Sequence, residues 1–468
     1  MDGNISYVFL PFSYHNREQF LALAEYYEQS GSWNLQHDEI RYLFRFVAEK
    51  MDSTRRDDCR CFHYTLSPEA RLNKGFADVD SWYVTERHSF NDQEIGFRFQ
   101  IPDLELFCFS TGVCILLFKL HFAVNDPYYI ASAQYYLKKV SRERITVEDD
   151  GADGLTENGD ARPAGTEGGQ AKRTAGQAER EGGWTILGLA KNLMKESSLK
   201  FGADFFFYAF ENTERANMLT CLEVEPKEDY SNELFFLRRC YTDGFQYVKD
   251  SKAEEQEVFR TSRDILWGVS PEAAICLTMP DGSKRKEFFT DTFYVNFSRQ
   301  YLYMYVLLLH RKYTLYMLLT KIGVGMYNDI DRLEAYRNEL YEFETDFVFS
   351  RVTEVQQYQM LYDHLEKVHY LKKLYEDVRE PLVSLSEVRR QEFEKKEKER
   401  DDTTNYVLIV LAFFGIFSAL IDSFDFFKSF LGKFMSDQFV WRVQKSSTAI
   451  LMVICIYLII WLFKRFKH

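Results

Sequence analysis

The chain has 468 residues, 46% of them hydrophobic and 17% aromatic, with a formal net charge of −13. That length allows two or three domains with real cores. Residues 401–468 hold seven Lys/Arg and five Asp/Glu, +2, so residues 1–400 carry −15, which argues against nucleic-acid binding because that needs a basic face.

Residues 1–290 read as an α/β unit. Residues 5–12 alternate as a strand, and 38–51 carry apolar residues at helical spacing (Ile40, Leu43, Phe44, Val47). Two apolar runs, 104–109 and 113–118, flank Ser110-Thr111-Gly112 and predict a hairpin buried on both faces. A helix is expected over 126–144. Residues 146–183 hold nine of the chain's 23 glycines and no aromatic residue, so they are expected to form a disordered surface insertion. Helices are then expected over 186–195 and 231–241, with strands over 205–208 and 218–224. A second hairpin, 265–269 with 273–279, echoes the first in shape.

Residues 291–402 read as helix. The apolar run 301–309 is bounded by Arg299 and by His310, Arg311 and Lys312, which makes it too short for a membrane and predicts a core helix. A charged helix is expected over 329–349. From about Ser350 a long helix carries Tyr358, Leu361, Leu365, Val368, Leu371, Tyr375, Val378, Leu382 and Leu385 at steps of three and four, a coiled-coil-like seam kinked or restarted at Pro381. His364 and His369, five apart, would face different ways and lie at the surface.

The last segment, 403–468, sets the functional expectation. Residues 403–421 are uncharged for 19 positions and 446–463 for 18. At ~1.5 Å per residue each run matches a ~30 Å hydrocarbon core, so two transmembrane helices are expected. Nine Lys/Arg flank the pair (Arg389, Arg390, Lys395, Lys396, Lys398, Arg400, Lys464, Arg465, Lys467) against four between the runs, which puts both termini in the cytoplasm of a multi-pass inner-membrane protein. Steps of three and four from Thr404 reach Leu408, Leu411, Gly415, Ser418 and Asp422. That stripe would line a pore, with Asp422 and Asp425 at its outer mouth.

Catalytic patterns are missing from the sequence: it has no phosphate-cradling Gly-rich loop, no His-Glu-x-x-His and no Gly-x-Ser-x-Gly, so no enzymatic activity is expected. The eight cysteines are scattered, and Cys59 and Cys61 lack zinc spacing, so reduced thiols are expected. The N-terminus lacks basic and apolar signal regions, so no cleaved signal peptide is expected.

This layout resembles the CorA family of divalent-cation channels: an acidic α/β cytoplasmic domain, a helical stalk and two C-terminal spans. The resemblance implies a homo-pentamer in membrane lipid with a pore lined by the first span. The family's Gly-Met-Asn filter is replaced by Ala419-Leu420-Ile421-Asp422-Ser423-Phe424, so no filter residue carries over. The hairpin from Leu106 to Phe118 and the helix from Tyr301 to Tyr313 are similar to phrases in the CorA-like membrane effectors of type III CRISPR systems. That branch implies an antiviral effector gated by a nucleotide second messenger, S-adenosylmethionine coupled to AMP (SAM-AMP). The alternatives are a constitutive transporter of magnesium or another divalent cation and a membrane-anchored interaction scaffold. The sequence itself assigns neither the ligand pocket nor any metal ligand.

Overall fold

The computed structural model describes residues 3–147 and 183–431 apart from short breaks at 15–18, 38–39, 53–58, 75, 77–81, 91–92, 205–207, 211–212, 243, 248–255 and 323–329, together with scattered residues between 433 and 457. Two compact units divide the chain, Met1–Leu385 and Ser386–His468.

The first unit is built on strand β1 (Asn4–Tyr14), which is apolar on both faces and buried along nearly its whole length. Val8, Leu10 and Phe12 point into one core; Ile5, Tyr7 and Phe9 point into another. A strand apolar on both sides needs cover on both sides. Period-two alternation sorts its side chains between the two cores.

Twelve further strands complete the sheet: β2 (Trp33–Leu35), β3 (Cys61–Leu66), β4 (Trp82–Val84), β5 (Arg98–Phe109), β6 (Val113–Phe122), β7 (Arg144–Val147), β8 (Trp184–Thr185), β9 (Ala203–Asp204), β10 (Asn217–Glu223), β11 (Val258–Ser262), β12 (Ile265–Val269) and β13 (Ala273–Thr278). The main order is β8-β7-β4-β5-β6-β1-β10-β13-β12-β11. β1 pairs antiparallel with β6 (Ser6↔Leu120 to Ser13↔Val113) and with β10 (Asn4↔Leu222 to Phe9↔Asn217). β10 and β13 run parallel, Met218↔Ala273 to Glu223↔Thr278. Both predicted hairpins form, β5–β6 and β12–β13.

One face carries α1 (Phe20–Ser30), α3 (Pro127–Leu137), α4 (Ile186–Leu193) and α5 (Ser231–Arg239). The other carries α2 (Arg45–Met51), α6 (Leu302–Lys321), α7 (Ile330–Phe347), α8 (Gln356–Val368) and the first turns of α9 (Leu371–Leu431). The unit is thus a three-layer α/β/α arrangement. α3 is opened by Asp126, whose carboxylate accepts from Tyr129 N, with Pro127 in its first turn. It stops at Leu137, short of the expected 144, and α2 begins at Arg45 rather than at 38.

α6 extends the expected core helix. Residues 302–315 are buried without interruption, His310, Arg311 and Lys312 included. Apolar character all round a helix is what a position between the sheet and a second helical layer demands. The basic trio that seemed to end the helix is inside the protein.

Two expectations for the C-terminal part are corrected. Among the described residues no helix is long and apolar enough to cross a membrane, which overturns both the two transmembrane helices and the multi-pass inner-membrane location. α9 takes in the first uncharged run. Most of the second run lies outside the described residues. The stalk is also broken where one helix was expected: α8 ends at Val368 and α9 starts at Leu371, with Tyr370 between them at φ 52°. Pro381 sits inside α9.

Candidate functional site

α6 is tied to the layers on both sides of it by polar groups, which is unusual for so apolar a helix. At its start Tyr303 OH lies 2.8 Å from His63 Nδ1, and the other ring nitrogen of His63 lies 3.0 Å from Glu105 Oε2. The His63 ring stacks on Phe107 at 4.1 Å, so neighbouring strands β3 and β5 hold it flat against the sheet. One helical stretch later His310 Nε2 lies 2.8 Å from the Thr111 hydroxyl and 3.1 Å from that of Thr314. Thr111 belongs to the β5–β6 turn, where Gly112 takes φ 89°, a conformation glycine adopts at no steric cost. Burial, reinforced by the adjacent Arg311 charge, holds the His310 imidazole well below the usual histidine range, so it is neutral at physiological pH.

The opposite side of α6 faces α8. The Arg311 guanidinium donates to Tyr362 OH and, at 2.8 Å, to Glu366 Oε1. Tyr313 OH donates to Asn217 Oδ1 at 2.8 Å, fixing α6 to the first residue of β10. Lys312 is 4% exposed, and burial pushes its ammonium down to about 7 despite the opposing pull of Glu272. His369, expected at the surface, is 5% exposed, and neither ring nitrogen has a hydrogen-bond partner. Burial, with the Lys312 charge second, drives its pKa well down. These contacts chain the sheet to α6 and α6 to α8.

At the α8–α9 junction the surface opens into a groove of about 480 Å³, lined by Asp363, Glu366, Lys367, Tyr370, Lys372, Lys373 and Glu376. Tyr370 is 69% exposed there. The groove wall includes Glu366, the carboxylate engaged from inside by Arg311. A small hollow beside β1, lined by Tyr14, Phe20, Leu23 and Phe109 among others, holds only about 10 Å³, room for one water.

No family model, no curated protein and no solved structure matches this chain.

Of the residues expected along the pore, Thr404, Leu408, Leu411, Gly415 and Ser418 all lie on α9 and are exposed. Leu408 is 56% and Leu411 60% exposed. Asp422 and Asp425 fall within the bounds of α9, but their side chains lie outside the described residues. The seven described cysteines are free and buried. Sequence reasoning missed the polar seam of α6. The signal available was the apolar pair Leu315 and Leu318, which resumes the helical pattern beyond Lys312.

Proposed function

We propose that the protein is a ligand-responsive effector that works by self-assembly through α9 rather than by catalysis. The observation that carries the reading is the outward apolar stripe of α9. Leu408 and Leu411 are exposed, and with Thr404, Gly415 and Ser418 they repeat at steps of four, three, four and three. An average step of about 3.5 residues is the spacing of a helix that pairs with parallel copies of itself. Exposed apolar residues at that spacing are stabilised when a second copy of the same stripe covers them. The small residues Gly415 and Ser418 let two backbones approach.

The sensing part is the α/β unit, with its output at the α8–α9 junction. The groove there offers an aromatic ring, three lysines and three carboxylates. That mixed charge suits a ligand bearing both signs beside a planar base, as SAM-AMP does. A ligand seated there touches Glu366 and Lys373 together, and so the end of α8 and the start of α9. By differential affinity it would favour one arrangement of the two helices.

The test is mass photometry of the whole chain without detergent, with and without SAM-AMP, for wild type and for Leu408→Glu/Leu411→Glu. Expected are defined oligomers for the wild type, a size distribution that shifts with the nucleotide, and monomers of unchanged circular dichroism for the double variant. Monomeric wild type, or wild type that instead partitions onto added liposomes, overturns the self-assembly reading. Oligomers indifferent to the nucleotide overturn the ligand reading.

A further inference from the structure

A second cluster of chemistry-bearing side chains lies at the far edge of the sheet from β11. β4 and β7 pair with Val84 opposite Ile145, and the Thr85 amide donates to the Arg144 carbonyl at 2.8 Å. That register sets the chain leaving β4 beside the chain entering β7. Glu86, His88 and Glu143 converge there, with one ligand atom from each within 4.8 Å of the others.

Glu143 is buried, His88 half-buried and Glu86 exposed. His88 Nε2 is shielded from solvent and has no hydrogen-bond partner. The Glu143 side chain is 6% exposed, and its Oε2 stands 3.6 Å from His88 Nε2, too far for a hydrogen bond. The imidazole is pinned by stacking on Tyr136 at 3.5 Å and 14°, with Phe97 next to it at 6.4 Å. A shielded imidazole nitrogen left unpaired carries a desolvation penalty of ~1–3 kcal/mol. A cation held between it and the Glu143 carboxylate would remove that cost.

We propose that Glu86, His88 and Glu143 bind a divalent transition-metal ion, with zinc the best match. Two ligands ~2.0–2.1 Å from one ion at the tetrahedral angle lie ~3.4 Å apart, close to the 3.6 Å between His88 Nε2 and Glu143 Oε2. An imidazole with two carboxylates is a nitrogen/oxygen donor set, which suits zinc or manganese better than magnesium or calcium. Glu86 is exposed and closes the site from the solvent side, leaving the fourth position to water. Lys139 and Arg142 also face the cluster. The Lys139 ammonium sits 3.7 Å from the Tyr135 ring centroid, and its charge acts on both His88 and Glu143. The two carboxylates balance these two cations, so the donor atoms and their spacing, not net charge, select the metal.

The site lies on the α/β unit, and its test does not depend on assembly through α9. Full-length protein stripped with chelator is titrated with zinc by calorimetry and with cobalt by visible absorption. Expected are about one equivalent of zinc per chain, a raised melting temperature, and cobalt bands of tetrahedral intensity. Glu86→Gln, an exposed change that leaves the core intact, should weaken binding at least ~tenfold, and His88→Gln and Glu143→Gln should do the same. Sub-stoichiometric binding with an unchanged melting temperature overturns the proposal. So does full-affinity binding by Glu86→Gln together with His88→Gln, which would place the metal elsewhere.

Discussion

Lys312→Met replaces a buried amine by an unbranched apolar chain of similar reach, and the structure sets both the size and the pH course of the effect. Lys312 is 4% exposed on α6, and its pKa is pushed down to about 7 by burial, from 10.5 in the unfolded chain. Glu272 pulls the other way, and the amine in turn acts on His369. Between pH 7 and 10.5 the unfolded chain holds a proton that the folded chain lacks, so stability rises with pH in that window. At ~1.36 kcal/mol per pKa unit, keeping the amine costs ~4 kcal/mol at pH 7 and ~2 kcal/mol at pH 9. Below pH 7 the cost is present in full. The Met variant is therefore expected to be more stable than wild type at pH 7 by up to ~4 kcal/mol, with the gap closing by ~2 kcal/mol at pH 9. Urea unfolding of both proteins at the two pH values measures it. Ionisation of buried thiols and phenols is common to both and cancels in the difference. A gap that does not change with pH, or a Met variant less stable at pH 7, refutes the reasoning.

Acid stability tests a second buried pair. His310 and His369 are both held well below the usual histidine range by burial, so the unfolded chain takes up protons first and stability is lost as pH falls below about 6.5. Each histidine contributes a slope of up to ~1.4 kcal/mol per pH unit. His369→Leu should make the loss between pH 7.5 and 5.5 shallower in urea titrations; an unchanged slope would show that His369 does not stay neutral in the fold. Gly268 tests the packing of α5 on β12. A Cβ there would stand 2.8 Å from Leu234 Cδ2, so Gly268→Ala should destabilise by ~1–3 kcal/mol and Leu234→Ala in the same chain should recover part of it. A Gly268→Ala protein as stable as wild type in urea would contradict the close approach.

Local pattern made part of this fold legible. The β5–β6 hairpin followed from two apolar runs around Ser110-Thr111-Gly112, and α8 from the steps Tyr358, Leu361, Leu365 and Val368. Pairing partners were not legible, because alternation along β1 tells which side chains share a face and not that β6 and β10 flank it. The break between α8 and α9 was missed because a tyrosine, not a glycine, takes the left-handed turn at φ 52°. That error put His369 on the surface, since the five-residue step from His364 was measured along one continuous helix. The span expectation rested on counting uncharged positions. Among the described residues no helix is long and apolar enough to cross a membrane, which overturns the placement built on that count. Glu86, His88 and Glu143 could not be joined from sequence, because only the β4–β7 register brings position 143 beside 86 and 88.

The pairing of β7 with β8 carries a practical consequence. Arg144 lies opposite Thr185 and Ile145 opposite Trp184, so the chain departs from and returns to the sheet at neighbouring positions on one edge. The segment between those two strands therefore starts and ends at a single doorway. A fluorescent protein or an affinity handle spliced in at that point would report on the living molecule while the scaffold behind it kept its shape.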